Sequence, residues 1–153
     1  MKILVLGLGN ELLGDDGAGI HAARILEERL RGKADVVESP LHGVALMEIF
    51  VGYDRAVVID ACQTGEHPPG TILELDSSDL RPVVCPSPHF TGLPEMFEIA
   101  GELKLEFPRI VKIFAVEAVD VLTLGAEMTE PVKAALGDVA DRVERLVNGW
   151  LQD

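Results

Sequence analysis

Ile3-Leu4-Val5-Leu6-Gly7-Leu8-Gly9-Asn10-Glu11-Leu12-Leu13-Gly14-Asp15-Asp16-Gly17-Ala18-Gly19 decides the fold. The apolar run at its start reads as a buried parallel strand, and Ile20, Ala23, Leu26 and Leu30 then recur at helical spacing. Strand, glycine-rich loop and helix in succession form the repeating unit of a parallel α/β sheet. Gly7 and Gly9 fit the first two positions of a dinucleotide fingerprint, but its third glycine falls on Leu12, where helix and strand would have to approach. Gly9 and Gly14 have the spacing of a phosphate loop, yet Asp15 and Asp16 replace its lysine and its magnesium-holding hydroxyl and would repel a triphosphate. Acids placed where a nucleotide loop needs positive charge point instead to a metal.

Working outward, strand-like runs recur at 3–8, 35–38, 56–60, 71–75 and 110–116, with helical patterns at 19–30, 44–51, 94–105 and 131–151. In the last helix Val132, Leu136, Val139, Val143, Leu146 and Trp150 form an apolar stripe, with Thr129 as its expected cap and Pro131 tolerated in the first turn. Such alternation predicts an α/β, three-layer sandwich: a mostly parallel five-stranded sheet with helices on both faces. Strand four follows strand three after only a loop, 61–70, so an antiparallel edge position is expected. A chain of 153 residues buries one core, and no linker-like stretch divides it, so 1–153 reads as a single domain.

The formal charge of −13 and the pI of about 4.6 argue against nucleic acid or an anionic membrane as partner. They favour a partner with a basic tail. The first eight residues are followed at once by polar and acidic ones, so neither a signal peptide nor a membrane span is expected, and the cytoplasm is the expected location. Cys62 and Cys85 lack CxxC spacing and read as buried thiols, not as metal ligands or a disulfide framework.

Ligands of such sheets bind beyond the carboxyl ends of the strands. Asp16 lies after strand one and Asp60 closes strand three; with strand order two, one, three, they flank one crevice. His89, in Cys85-Pro86-Ser87-Pro88-His89-Phe90, sits in a loop stiffened by proline. Two carboxylates and an imidazole suit nickel, zinc, manganese or iron, with positions left open for substrate or water. Against this stands a structural reading of each residue: an acid at a strand end, a packed histidine, and for Asp15 a cap on the first helix, the reading preferred for that residue. His21 reads as a surface residue, His67 as a loop residue, and His42 as a residue able to reach the crevice.

The order and spacing of Gly7-Leu8-Gly9-Asn10, Leu13-Gly14-Asp15-Asp16-Gly17-Ala18-Gly19, Val58-Ile59-Asp60-Ala61, Pro69-Gly70-Thr71 and Ser87-Pro88-His89 with Gly92-Leu93 resemble the nickel-iron hydrogenase maturation endopeptidases. The resemblance runs nearly end to end. It implies that Asp16, Asp60 and His89 bind nickel and form the catalytic site, and that the substrate is a nickel-loaded hydrogenase large-subunit precursor. From that precursor a short carboxy-terminal extension would be removed in one cut. The nickel would travel with the substrate, and zinc or another divalent ion could take its place in the isolated protein. Asp16, Asp60 or a water would assist attack on the peptide carbonyl. No serine–histidine–acid arrangement or activated cysteine stands out. A nickel-binding escort that cuts nothing would use the same three ligands and is the alternative. A monomer is expected. After strand two the family usually has an acid and two glycines, where this chain has Leu41-His42-Gly43. His42 is taken as a neutral replacement, Glu117 as an exposed loop residue, and Phe90 as a packing or substrate-shaping side chain.

Overall fold

A computed structural model describes residues 1–79 and 87–153; Cys85 and Pro86, and the readings attached to them, lie outside the described residues. The strands are β1 Ile3–Leu8, β2 Asp35–Ser39, β3 Arg55–Cys62, β4 Ile72–Asp76 and β5 Ile110–Glu117, and the helices are α1 Ala18–Arg29, α2 Met47–Phe50, α3 Leu93–Glu102 and α4 Glu130–Trp150. They form one sheet in the order β2-β1-β3-β5-β4. β1, β2, β3 and β5 pair in parallel, and β4 pairs antiparallel with β5 at the edge. This is the mostly parallel α/β sheet expected, with β4 where its short connection places it.

The period of two in the central strands divides the core between the faces of the sheet. Val5, Val57, Ile59, Phe114 and Val116 pack under α1 and α4, against Leu26, Val139, Val143 and Trp150. Leu4, Leu6, Val58, Ile113 and Ala115 pack on the other face against Leu46, Phe50, Leu93 and Met96. Each buried Val, Leu, Ile, Phe or Met among them contributes about 1.5–3 kcal/mol, so both faces are held and neither helical layer is optional. Because four strands run in parallel, the loops that follow β1, β2, β3 and β5 all leave from one edge.

Two local expectations change. The helix expected over 44–51 is a 3₁₀ turn, Gly43–Leu46, followed by a single α turn, α2. Only Leu46 and Phe50 turn fully inward there, while Val44 and Val51 are exposed, so the segment lacks the continuous stripe that sustains a longer helix. Gly43 (φ +48°) also lies so close to Thr91 that an added Cβ would meet its carbonyl oxygen at 2.1 Å. Second, Thr129 precedes α4 but its side chain does not cap that helix. Its hydroxyl donates to the Asp15 carboxylate, a charge-assisted bond that turns the side chain toward the β1 loop.

Strand and helix do approach closely at the start of the chain, although Leu12 stands at the fingerprint position and is exposed. The contact uses Gly7 and Gly19 instead: a Cβ on Gly19 would lie 2.3 Å from the carbonyl oxygens of both Leu8 and Ile59. α1 thereby starts against β1 and β3, which seats the preceding acids over the crevice between those strands.

Candidate metal centre

Asp16 arrives on the 3₁₀ turn Gly14–Gly17, which joins the β1 loop to α1. The Asn10 backbone N–H donates to Asp16 Oδ2 at 2.9 Å, and Gly9 (φ +148°) lets the two segments close, since a Cβ there would stand 2.0 Å from the Asp16 carbonyl oxygen. Asp60 lies near the end of β3, fully buried; its Oδ1 accepts from the Ala61 N–H at 2.8 Å and its Oδ2 from Ser87 Oγ at 2.6 Å. His89 arrives on a second 3₁₀ turn, Pro88–Phe90, capped by Ser87, whose Oγ accepts from the His89 N–H. The imidazole Nδ1 faces the Leu41 carbonyl at 3.2 Å, which leaves Nε2 turned toward Asp16 Oδ2 at 3.3 Å. One ligand atom from each of Asp16, Asp60 and His89 lies within 4.8 Å of the others, and all three residues are buried.

The electrostatics of this trio are those of a site that a cation completes. Burial pushes the Asp60 carboxyl up to about 7; the His89 charge and the Ser87 hydrogen bond pull it down, and the Asp16 charge adds to the rise. For His89, burial pulls the imidazole down, but the hydrogen bond to Asp16, the charge of Asp60 and the Leu41 carbonyl outweigh it and hold it at about 9. At neutral pH the imidazolium therefore donates from Nδ1 to Leu41 and from Nε2 to Asp16. The Nε2 proton faces Asp16, and loss of that proton frees a lone pair on the side of this carboxylate. This donor set, two hard oxygens and one imidazole nitrogen, fits a divalent first-row metal.

Sequence singled out all three residues but not their supports, Ser87, the Asn10 N–H and the Leu41 carbonyl. A serine directly before Pro-His has the form of a turn cap, a signal that was available. Ser87 Oγ is bonded to Asp60 and to the His89 backbone rather than to the imidazole, so it is not set up as a nucleophile with a histidine base.

Among the neighbours, Asp15 and Glu117 depart from expectation. Asp15 does not cap α1, whose N-cap is Gly17; it turns away and accepts from the N–H groups of Val119, Asp120 and Thr129 and from the Thr129 hydroxyl. Glu117 is buried, not an exposed loop residue. As the last residue of β5 it accepts from the Thr64 N–H at 2.9 Å and from the Thr64 hydroxyl, so the loop after β3 supplies its solvation. His42 is exposed, and its ring meets that of His89 edge to face with centroids 4.6 Å apart. Phe90 packs among Leu46, Leu93 and Met96. Cys62 is buried, and His67 is exposed away from the trio's ligand set. A cleft of about 660 Å³ lies toward the other end of the sheet, between β4, β5 and α4. Within it Arg142 pairs with Glu74 and Lys112 with Asp76.

Known proteins share both the sequence and the shape. The pattern of the hydrogenase maturation protease family matches residues 20–146. The chain is 29% identical to the hydrogenase 2 maturation protease of Escherichia coli over 120 residues, 76% of this chain and 73% of the relative. Among solved structures, the [NiFe] hydrogenase maturation protease HybD of Thermococcus kodakarensis superposes with a TM-score of 0.77 at 28% identity, covering 96% of this chain and 99% of that one. The hydrogenase maturating endopeptidase HybD of E. coli gives 0.75 at 26%, covering 94% and 90%. With the family pattern matching most of its length and solved relatives sharing its shape, the chain belongs to the hydrogenase maturation protease family, and its activity is that of a peptide hydrolase.

Proposed function

We propose that this chain is the endopeptidase that removes the carboxy-terminal extension of a nickel-loaded [NiFe] hydrogenase large-subunit precursor, and that it recognises the precursor through its nickel. The observation that carries this reading is the convergence of Asp16, Asp60 and His89 within 4.8 Å, in a chain of this family. Three ligands make an incomplete cage, which suits a metal delivered and withdrawn with the substrate better than one held permanently. A precursor without nickel lacks the contact that seats its scissile bond, so discrimination follows from a difference in binding free energy. Asp16 and Asp60 supply the oxygen ligands, and His89, with Nδ1 held by Leu41, supplies Nε2. The enzyme acts as a monomer of one domain, residues 1–153, in the cytoplasm. Among the described residues no helix is long and apolar enough to cross a membrane.

The test is incubation of the purified protein with nickel-loaded and nickel-free precursor, read by intact mass. Loss of one carboxy-terminal peptide from the loaded form alone is the expected outcome. Binding of the loaded precursor without any mass change would replace the endopeptidase by a non-catalytic escort. Equal cleavage of both forms would remove nickel from the recognition step.

A further inference from the structure

Exposed large apolar side chains gather at the edge of the sheet that holds the metal centre. Leu12, Leu41, Val44, Val119, Leu122 and Leu124 are all exposed, and all lie on segments that follow the carboxyl ends of β1, β2 or β5. The extreme cases are Leu122 and Leu124, 84% and 74% exposed, on the loop between β5 and α4. That loop is built, not loose. Asp120 Oδ1 accepts from the N–H groups of Leu122 and Thr123 at 3.0 and 3.1 Å. The loop is also tied to the loop that carries Asp16: the Asp15 N–H donates to the Asp120 carbonyl, the Gly125 N–H to the Leu12 carbonyl, and the Asp15 carboxylate accepts from Val119 and Asp120. Leucines held out to water by a fixed backbone add nothing to this protein's core, and apolar groups presented in this way mark contact surfaces.

Charge narrows the partner. Residues 9–19, 40–46, 63–71, 87–92 and 118–131, which make up the described loops of this edge, contain no Lys or Arg. Glu66, Glu127 and Glu130 are exposed there. Arg24, the one arginine or lysine that the described ion pairs bring to these loops, is already engaged by Glu11 and Glu38. Such a surface repels acidic segments and attracts basic ones.

We infer that the loop between β5 and α4 is a docking surface for a segment of the partner polypeptide that carries apolar side chains together with Lys or Arg, seated beside the metal centre. The inference rests on the function proposed above, since the occupant is taken to be part of the precursor that is cut. Because the loop is clamped to the turn bearing Asp16, a segment docked on Leu122 and Leu124 is fixed in position relative to the ligand trio. Docking then acts on substrate affinity and not on the cut itself.

The test is steady-state cleavage of the nickel-loaded large-subunit precursor by wild type, by Leu122→Ser/Leu124→Ser and by Glu127→Lys, with nickel affinity of each protein measured in parallel. These side chains are exposed, so thermal unfolding should stay at the wild-type temperature. The leucine pair is expected to raise KM roughly tenfold or more with kcat within about twofold, and nickel affinity should not change. Glu127→Lys is expected to raise KM about threefold, an effect that disappears at high salt. If wild type cuts and the leucine pair cuts with the same KM, the docking surface is overturned while the proposed function stands. An effect of the leucine pair but none of Glu127→Lys would overturn the cationic character of the segment. A concentration-dependent wild-type dimer that the leucine pair abolishes would assign the surface to a second copy of the chain and overturn the inference. Failure of wild type to cut overturns the proposed function, and the docking surface falls with it.

Discussion

Asp15 and Asp16 are neighbours in sequence and both are buried, yet they belong to two regions with opposite logic. Asp15 is surrounded by donors: three backbone N–H groups and a hydroxyl converge on its two oxygens between 2.7 and 3.2 Å. Asp16, one residue on, has one backbone donor and shares its crevice with a second carboxylate and an imidazole. The first region is a completed hydrogen-bond network that staples the β1 loop to the segment ahead of α4. The second is left short of positive charge, and that deficit is where chemistry becomes possible. Adjacent residues of one type thus enter different settings, one in a closed hydrogen-bond network and one in a group able to hold a metal.

The strongest attempt to break this contrast is alanine substitution on its functional side. Asp16→Ala and His89→Ala should each reduce precursor cleavage by at least about a thousandfold, while chemical denaturation shows stability within about 1 kcal/mol of wild type. Unfolding of either variant would mean that the trio is structural. Next in size, Asp15→Ala should lower stability by about 3 kcal/mol, because it orphans several buried donors at once. Urea denaturation checks this, and a loss under about 1 kcal/mol would dissolve the distinction between the neighbours.

The same contrast separates what was legible in the sequence from what was not. The order of apolar runs and helical stripes carried the sheet, its parallel strands and the edge position of β4, because periodicity and connection length are local properties. The trio was legible because one acid lies in the loop after β1, another closes β3, and a histidine follows a proline. Asp15 was misread, since its donors come from Val119, Asp120 and Thr129, more than a hundred residues away, and no local pattern announces them. Glu117 was misread for the same reason: Thr64, which solvates it, lies across the sheet edge on another loop. The segment 44–51 reads as a helix by composition, but contact with Thr91 and the exposure of Val44 and Val51 limit it to a 3₁₀ turn and one α turn. In each case the deciding contact is distant along the chain.

Proton release on metal binding sharpens the contrast further. A metal at the trio must displace the proton of His89, held to about 9, and below about 7 that of Asp60 as well. Nickel binding should therefore release about two protons at pH 6 and about one at pH 8, and affinity should rise with pH throughout this range. Calorimetry in buffers of different ionisation enthalpy counts those protons, and Asp15→Asn should leave the count unchanged. Binding without proton release would place the metal elsewhere.

The smallest effect is also the most diagnostic of a site built against stability. The Asp60 carboxyl is raised in the folded state, to about 7 from an ordinary value near 3.8, so folding takes up a proton between those values. The stability associated with this group is present at low pH and is lost as pH rises through about 7. Asp60→Asn keeps the shape of the side chain without its charge, and so should be more stable than wild type above pH 7, by about 1 kcal/mol. The gap should narrow as pH falls from 7 toward 4. Thermal unfolding across that range reads the difference directly. For Asp15→Asn the sign is opposite: removing the charge from a carboxylate that four donors already satisfy weakens the network, and stability falls. If both asparagine variants were destabilised alike at pH 8, Asp60 would be another structural acid, and the charge deficit that marks the metal centre would not exist.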